Sequence, residues 1–459
     1  MRLDVGALPS FQDLLDDERV SVPASLRSNT HPDIPQRPLG TERWTCAKHA
    51  ALETERLWSR TWQMVCRETA LMHSGDFFVY DISGYSVLLV CTEPGTLRGY
   101  HNSCLHRGRA LKNGRGRAKE IRCPYHGFCW NLDGSFKEAF CSEEFSPEVL
   151  GELSLPEVQV ACWGGWVFIN MDSDAQSFSE YSGILESHFN RWQPEARYVS
   201  LHVEKRLRCN WKVALEAFIE SYHSIQTHPQ ILSFTGGDNS QYDVFGPHLS
   251  RTITPQGTPN PGQADRFTVR QTVDDMLGQG SFDLACTLTG HRAEDLTSRQ
   301  AIAALRRDAL SGVLPQALLE GATQSELMDS ILYLLFPNFA PWGGFQSQIT
   351  YRYRPIDGNP NVCVMDLYFL DSFPEGSPRP PDAETVRLDF DQPFAEVPAL
   401  GGLAAIFDQD ANNLPEVQRG LNASHRRLAI TAAYQECRIR HFHQTLDHYL
   451  DNTAGSCGF

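Results

Sequence analysis

No stretch of this 459-residue chain approaches the roughly 18 consecutive apolar residues of a membrane span. Its start, MRLDVGALPSFQDLLDDERV, lacks a basic opening followed by an apolar run, so no signal peptide is expected. A basic field is also missing. Lys and Arg number 40 against 56 Asp and Glu, for a net charge of −16. That balance argues against a nucleic-acid binder. There is no internal repeat or low-complexity tract. No G-x-G-x-x-G follows an expected strand, so no dinucleotide-binding unit is evident. The 13 cysteines are odd in number and scattered. The expected compartment is the cytoplasm, where thiols stay reduced. There, clustered Cys and His point to a metal rather than to disulfides.

Apolar residues make up 41% of the chain, enough for sizeable cores. The length fits two or three domains, or a small domain grafted on a large one. Residues 1–45 read as an arm with several prolines and one short helix at Phe11–Asp17. Residues 47–63 have helical spacing, with Ala51, Leu52, Leu57 and Trp62 on one face. Short strands follow. FFVYDISGYSVLLV (77–90) reads as strand, turn at Ser83-Gly84, strand. LRGYHN (97–102) follows the Pro94-Gly95 turn, and WVFIN (166–170) is a further strand. Polar residues 171–183 mark a boundary. Beyond it come a strand at 201–209 and a helix opening at Asn210. Residues 230–300, rich in Gly, Pro, Asn and Thr, read as mixed short elements. Strands alternate over 331–371, and helices run from Leu414 to Leu450 with a break near 422–424. The expected class is α+β. A small β-rich domain would span 46–175, and a larger domain over 176–459 would pack a sheet against helices.

Cys104-x-His106 and Cys123-x-x-His126 lie in loops of the β-rich block. Such a set suits zinc or an iron–sulfur cluster. Structural zinc usually takes C-x₂₋₄-C knuckles followed by paired His, whereas here each pair mixes one Cys with one His. A [2Fe–2S] centre with two thiolates on one iron and two imidazoles on the other needs that mixture. Gly108 and Gly127 let backbone N–H groups approach, and Pro124 stiffens the second loop. The stretch CLHRG…CPYHGFCWNLDGSF is similar to the Rieske signature of aromatic-ring-hydroxylating and related oxygenases. The resemblance implies that Cys104, His106, Cys123 and His126 hold a Rieske [2Fe–2S] cluster. Phe128 stands where the family often has Trp, a matter of packing rather than ligation. Cys129 has the wrong spacing for a ligand and reads as a buried thiol. Imidazole ligands raise the potential relative to all-Cys ferredoxins, so the expected role is electron relay.

A relay needs a destination. In NWKVALEAFIESYHSIQTHPQ (210–230), His223 and His228 are five apart. On a regular helix that turns them about 140° from each other. Pro229 pushes the residue before it out of helical geometry. His228 is therefore expected just past a helix end, free to swing back toward His223. The pair then supplies two legs of a 2-His-1-carboxylate site for Fe(II), with positions open for O₂. The segment resembles the catalytic region of Rieske oxygenase α subunits. That resemblance makes Glu220, on the same helix face as His223, an electron bridge to the cluster ligand His126. In the family this bridge crosses between neighbouring subunits, usually of a trimer. Many members have Asp there; Glu is similar to the subset that includes carnitine-type monooxygenases. IFDQDANNLPEVQRGL (406–421) resembles the family's late acidic segment before a helix. It puts the third iron ligand on Asp410, with Asp408 as the alternative. An ordinary helix N-cap is the plainer reading of Asp410.

The resemblance covers roughly residues 45–450. It implies a curved antiparallel sheet around helices, of helix-grip type, in the larger domain. It also implies a terminal oxygenase that takes electrons through the cluster to Fe(II), activates O₂ and hydroxylates a small organic substrate. An NAD(P)H-dependent reductase, with or without a ferredoxin, would supply the electrons. A homotrimer is expected, with or without a β subunit, and neither nucleic acid nor membrane as partner. The apolar strand around Leu332–Phe339 favours a hydrophobic aromatic or polycyclic substrate. Phe336, Phe339 and Trp342 either line its pocket or pack in the core. Glu220 favours instead monooxygenation of a quaternary amine. A Rieske electron carrier with an inactive large domain, and a zinc-stabilised non-redox protein, are the other classes. Arg107, Arg109, Lys112, Arg115, Arg117, Lys119 and Arg122 crowd the loop between the Cys–His pairs. They either steer an acidic electron donor or form a solvated loop or subunit contact. His441, His443 and His448 read as ordinary helix residues, and His202 and His248 have no evident partner.

Overall fold

Ser83 and Gly84 both adopt positive φ, 46° and 84°. That geometry matches the twist of flanking strands in a two-residue hairpin, and Asp76–Ile82 pairs antiparallel with Tyr85–Glu93. The hairpin sits in a seven-stranded sheet. Its order is Gln63–Arg67, Trp166–Asn170, Glu157–Trp163, Thr96–His101, Tyr85–Glu93, Asp76–Ile82 and Arg115–Arg117. A second small sheet joins Ile121–Arg122, Cys129–Trp130 and Phe136–Glu138. Between them lies a core of Leu88, Val90, Tyr100, Ile121, Phe128 and Trp130.

The structure, a computed structural model, describes residues 10–451. Residues 1–9 of the expected arm and 452–459 of the expected larger domain lie outside it. The chain forms two units. The smaller holds Ala47–Tyr181, Pro355–Asn359 and residues 449–451. The larger holds residues 10–46, Ser182–Arg354 and Pro360–His448. No helix among the described residues is long and apolar enough to cross a membrane.

The helix expected over 47–63 is shorter. Ala47–Glu53 is helical, Thr54–Trp58 widens into a π turn, and the chain then enters the strand Gln63–Arg67. Ala51 is exposed, while Leu57 and Trp62 are buried. Pairing with Trp166–Asn170 buries every residue of that strand, and this outweighs helical spacing.

The larger unit is built on an eight-stranded curved sheet. Its order is Gln241–Phe245, Leu249–Thr254, Ser330–Leu335, Phe339–Pro341, Gln348–Ile356, Asn359–Asp371, Tyr198–Leu207 and Thr385–Leu388. The last strand joins parallel to its neighbour. The helix Trp211–Phe218 is capped by the Asn210 side chain, which accepts from the Lys212 N–H (3.1 Å). Phe218 packs on Tyr351 of the sheet, ring centroids 5.1 Å apart, and Trp211 on Phe442 of the C-terminal helix at 5.8 Å. Residues 230–300 hold more helix than expected: Val269–Leu277 and Ser281–Thr289, with Ser298–Leu310 beginning at their end. Capping boxes at Thr268/Gln271 and Thr297/Gln300 open two of them. The signal S/T-x-x-Q was present but hidden by a loop-like composition. The tail helices are Leu403–Ala423 and Cys437–Asp451, so the first begins well before Leu414.

Candidate metal centres

Two loops of the smaller unit are built alike. The Cys104 N–H donates to the Arg109 carbonyl (2.8 Å), and the Gly108 N–H donates back to the Cys104 carbonyl (2.8 Å). In the other loop the Cys123 N–H donates to the Phe128 carbonyl (2.8 Å), and the Gly127 N–H to the Cys123 carbonyl (3.0 Å). Gly108 and Gly127 have φ of 74° and 78°, which any Cβ would strain. Pairs of unequal spacing thus become two near-equivalent turns. The rings of His106 and His126 lie 4.7 Å apart. Cys104 and Cys123 are buried, and their thiols interact. His106 Nδ1 is buried without a hydrogen-bond partner, which costs about 1–3 kcal/mol unless the atom ligates something. Two buried thiols beside two imidazoles, one of them orphaned, fit a Rieske cluster. Phe128 stacks on His106, centroids 4.6 Å apart and planes within 10°. Cys129 is fully buried, and burial pushes its thiol up to about 11.

The basic run is less free than its sequence implies. Arg117 pairs with Asp76 at 2.6 Å. Arg122 bridges Glu120 (2.8 Å) and Glu138 (2.5 Å). The Lys112 ammonium sits over the Phe77 ring at 5.5 Å, and the Arg107 guanidinium over the Tyr125 ring at 5.7 Å. Acids and aromatics from neighbouring strands and loops occupy these cations.

In the larger unit, the helix Trp211–Phe218 stops sooner than expected, so Glu220 and His223 do not share a helix. The break is pinned from outside. The Ile219 carbonyl accepts from Arg438 (3.1 Å) and from Thr252 Oγ1 (3.0 Å). The Ser221 N–H donates to the Tyr242 hydroxyl (3.1 Å), and Ser221 Oγ meets Thr254 Oγ1 at 2.6 Å. A short helix, Ser224–Thr227, follows, and His228 leaves it with φ −124° and ψ 58°. Pro229 thus has the effect expected of it.

Glu220 holds His223 twice. Its Oε2 accepts from the His223 main-chain N–H (3.1 Å) and its Oε1 from Nδ1 (2.6 Å). His228 Nδ1 donates to Gln409 Oε1 (2.7 Å), which Gln230 Nε2 also reaches (2.6 Å). Each ring therefore carries its hydrogen on Nδ1 and turns the Nε2 lone pair inward. Asp410 Oδ1 stands 3.0 Å from His228 Nε2 and 3.6 Å from His223 Nε2. The three ligand atoms all lie within 4.8 Å of one another. A carboxylate only accepts. Three acceptor atoms converging in a largely buried place repel one another unless a cation sits between them. Two imidazoles and a carboxylate are the facial set of non-haem Fe(II). Burial opposes charge on His223, yet the Glu220 and Asp410 carboxylates outweigh it and raise the ring's pKa. The site draws positive charge to its centre.

Asp410 lies inside the helix Leu403–Ala423 rather than before a helix. Asp408 faces elsewhere, accepting from the Phe394 N–H (2.6 Å) and the Ala395 N–H (3.1 Å). Gln409 is a residue that sequence reasoning missed, and no pattern marks it. His223, His228 and Asp410 line a cavity of about 480 Å³. Phe218, Phe234, Trp342, Tyr351, Phe369 and Phe407 also line it. Leu332 is on this wall as well, whereas Phe336 packs in the core against Phe442, centroids 5.4 Å apart. Three of the other histidines have structural partners: His202 meets Asp366 (3.0 Å), His441 the Gly246 carbonyl (2.9 Å) and His443 Glu216 (2.8 Å).

Residues 188–452 match the family model described as the ring hydroxylating alpha subunit (catalytic domain), and 61–157 match the Rieske [2Fe–2S] domain. The carnitine monooxygenase oxygenase subunit of Escherichia coli K12 is 32% identical over 180 residues. That match takes in 39% of this chain and 48% of the relative, so the chain spans about half the length of the curated relatives it matches. Among solved structures, the quaternary ammonium Rieske monooxygenase CntA superposes with TM-score 0.63 at 16% identity, over 91% of this chain and 96% of that one. Naphthalene 1,2-dioxygenase from Rhodococcus sp. gives 0.60 at 16% identity, over 90% and 94%. These likenesses are of fold. The family's cofactors are a Rieske [2Fe–2S] cluster and a mononuclear iron that works with O₂, and both donor sets described above suit them. The chain belongs to the ring-hydroxylating α-subunit family, with a Rieske [2Fe–2S] domain ahead of its catalytic domain.

Proposed function

We propose that this chain is a terminal oxygenase that hydroxylates a small organic substrate held beside His223, His228 and Asp410. In this reading 46–175 is the Rieske domain and 176–459 the catalytic domain. Cys104, His106, Cys123 and His126 hold the cluster, and His223, His228 and Asp410 hold Fe(II). When bound, these groups supply one-electron transfer and O₂ activation. The chain's own side chains do the positioning. Glu220 fixes the His223 ring by its Nδ1–H, so that Nε2 faces the cavity, and is the proposed link toward His126 of a neighbouring subunit. Gln409 fixes His228 in the same way. The aromatic wall excludes water and takes the substrate's apolar body. The observation that carries the reading is the convergence of three acceptor atoms within 4.8 Å on the wall of a 480 Å³ cavity.

The first substrate reading is a hydrophobic aromatic or polycyclic molecule, supported by the six aromatic rings on the wall. The second is monooxygenation of a quaternary amine. Glu220 and the carnitine monooxygenase relative favour it, and aromatic faces also hold quaternary ammonium groups. The proposed setting is cytoplasmic. The partners are an NAD(P)H-dependent reductase, with or without a ferredoxin, and further copies of this chain in a trimer. The test is NADH-coupled O₂ uptake with a reconstituted reductase over both substrate panels, with products identified by mass spectrometry. His223→Ala should lose mononuclear iron and uptake while keeping the cluster spectrum. Reduction of the cluster without O₂ uptake on any substrate would leave an electron carrier instead.

A further inference from the structure

The helices between strands Leu249–Thr254 and Ser330–Leu335 bring one cation to the cavity. Arg306, on the helix Ser298–Leu310, lines the same wall as His223, His228 and Asp410. The other arginines near it are satisfied. Arg299 makes two bonds to Asp329, at 2.6 and 3.0 Å. Arg307 donates to the carbonyls of Leu319 (3.3 Å) and Ala322 (2.7 Å). Arg306 has no ion pair or hydrogen bond among the described residues, and its Nε is buried without a partner. Burial pushes its pKa down, and no carboxylate acts against that. Ser347 Oγ, on the same wall, is also buried without a partner. The acids of the cavity, Glu220 and Asp410, are engaged with the two histidines.

A partly buried guanidinium without a counter-ion is unfavourable. It presents five donors in a planar fork that matches a carboxylate. No anion is supplied among the described residues, and Arg306 lines the cavity. We propose that the cavity takes organic substrates bearing a carboxylate, and that Arg306 pairs with that group while the aromatic wall holds the rest. This rests on the oxygenase reading only for what happens after binding. It narrows both substrate readings. An aromatic acid is preferred over a hydrocarbon, and a quaternary ammonium carboxylate over a quaternary ammonium alcohol.

Equilibrium binding to the purified chain tests it with two pairs, benzoate against benzamide and L-carnitine against choline. At least one carboxylate should bind about tenfold or more tightly than its mate. Arg306→Gln should weaken that carboxylate by roughly 10- to 100-fold, the scale of one charge-assisted pair. Binding of the mate should be unchanged, which also shows that the variant is folded. Arg306→Lys, which keeps the charge but not the fork, should retain part of the preference. The proposal falls if the wild-type protein binds no carboxylate of the set or does not prefer one, or if Arg306→Gln leaves the preference intact. O₂ uptake run alongside separates the two ideas. Arg306-dependent binding without uptake on any substrate would sink the oxygenase reading alone. Uptake confined to uncharged substrates would sink the carboxylate reading alone.

Discussion

Gln409 would not touch the metal, yet its replacement should empty the second centre. Its Oε1 accepts the His228 Nδ1–H at 2.7 Å, and His228 is buried. Gln409→Leu keeps much of the volume and removes the acceptor. A buried donor left without a partner costs about 1–3 kcal/mol. The ring can escape that cost by moving its hydrogen to Nε2, where Asp410 Oδ1 waits 3.0 Å away. The escape converts the ligand atom into a donor and closes the site to a cation. Loss of such an outer partner typically weakens metal binding 10–100-fold, or about 1.4–2.8 kcal/mol. The assay is competition for Fe(II) with a calibrated chelator. Cluster absorbance serves as an internal control, because Cys104, His106, Cys123 and His126 belong to the other unit. Gln409→Leu should lose Fe(II) at chelator concentrations that wild type withstands, with the cluster spectrum unchanged. Gln409→Glu still accepts from Nδ1 and should retain iron. If Gln409→Leu holds Fe(II) as tightly as wild type, the tautomer argument for His228 is wrong.

Glu220→Gln should keep both metals, because a side-chain oxygen can still meet His223 Nδ1, but lose coupled turnover; normal turnover would end its role as a bridge. Asp366 is fully buried between Arg352 (2.9 Å), Arg354 (3.1 Å) and His202 (3.0 Å). Asp366→Asn should destabilise the chain by about 3–5 kcal/mol, the usual cost of stranding a buried charge. Urea unfolding reads this, and a loss below about 1 kcal/mol, the level of a surface pair, would contradict it. Burial pushes His188 down to about 4, His248 to about 3 and His441 to about 4. Unfolded histidine titrates near 6.5, so on acidification the unfolded chain binds protons first. Stability is therefore full above about pH 6.5 and falls toward pH 4, by about 1.4 kcal/mol per pH unit for each group. A urea midpoint that stays flat between pH 7 and 5 would refute this.

What could be read from sequence was what the chain settles within a few residues. Each Rieske turn closes on itself between a Cys and a glycine four positions on, so CLHRG and CPYHG carry their geometry with them. Pro229 acts on the residue beside it, and His228 leaves the helix as expected. The hairpin at Ser83-Gly84 is equally local. The helix through Glu220 was misread because residues far along the chain end it. Thr252 and Tyr242 reach the break from the sheet, and Arg438 from the last helix. Trp62 was misplaced for the same reason, since strand pairing with Trp166–Asn170 claims the residues that follow it. Arg306 was invisible in the sequence, because only the fold shows that it lacks an acid.

The place of Asp410 inside its helix has a functional consequence. As a helix N-cap its carboxylate would accept N–H groups of its own helix and be poorly placed to face a cation. Asp408 takes a cap-like part instead, at the turn Phe394–Glu396. That leaves the helix continuous from Leu403 through Gln409 and Asp410. Consecutive helical residues point about 100° apart. One therefore reaches the inward Nε2 of His228 while its neighbour reaches the outward Nδ1 of the same ring, at 3.0 and 2.7 Å. On the proposed ligand set, a single helix thus carries both the third ligand and the group that sets the tautomer of the second. A kink that turns the two residues away from His228 should therefore cost iron even with every ligand present. Asp408→Pro, which removes an N–H within the helix, is the variant that would show it, read by the same Fe(II) competition. Wild-type iron affinity in a folded Asp408→Pro protein would mean that the path of this helix does not set the two contacts.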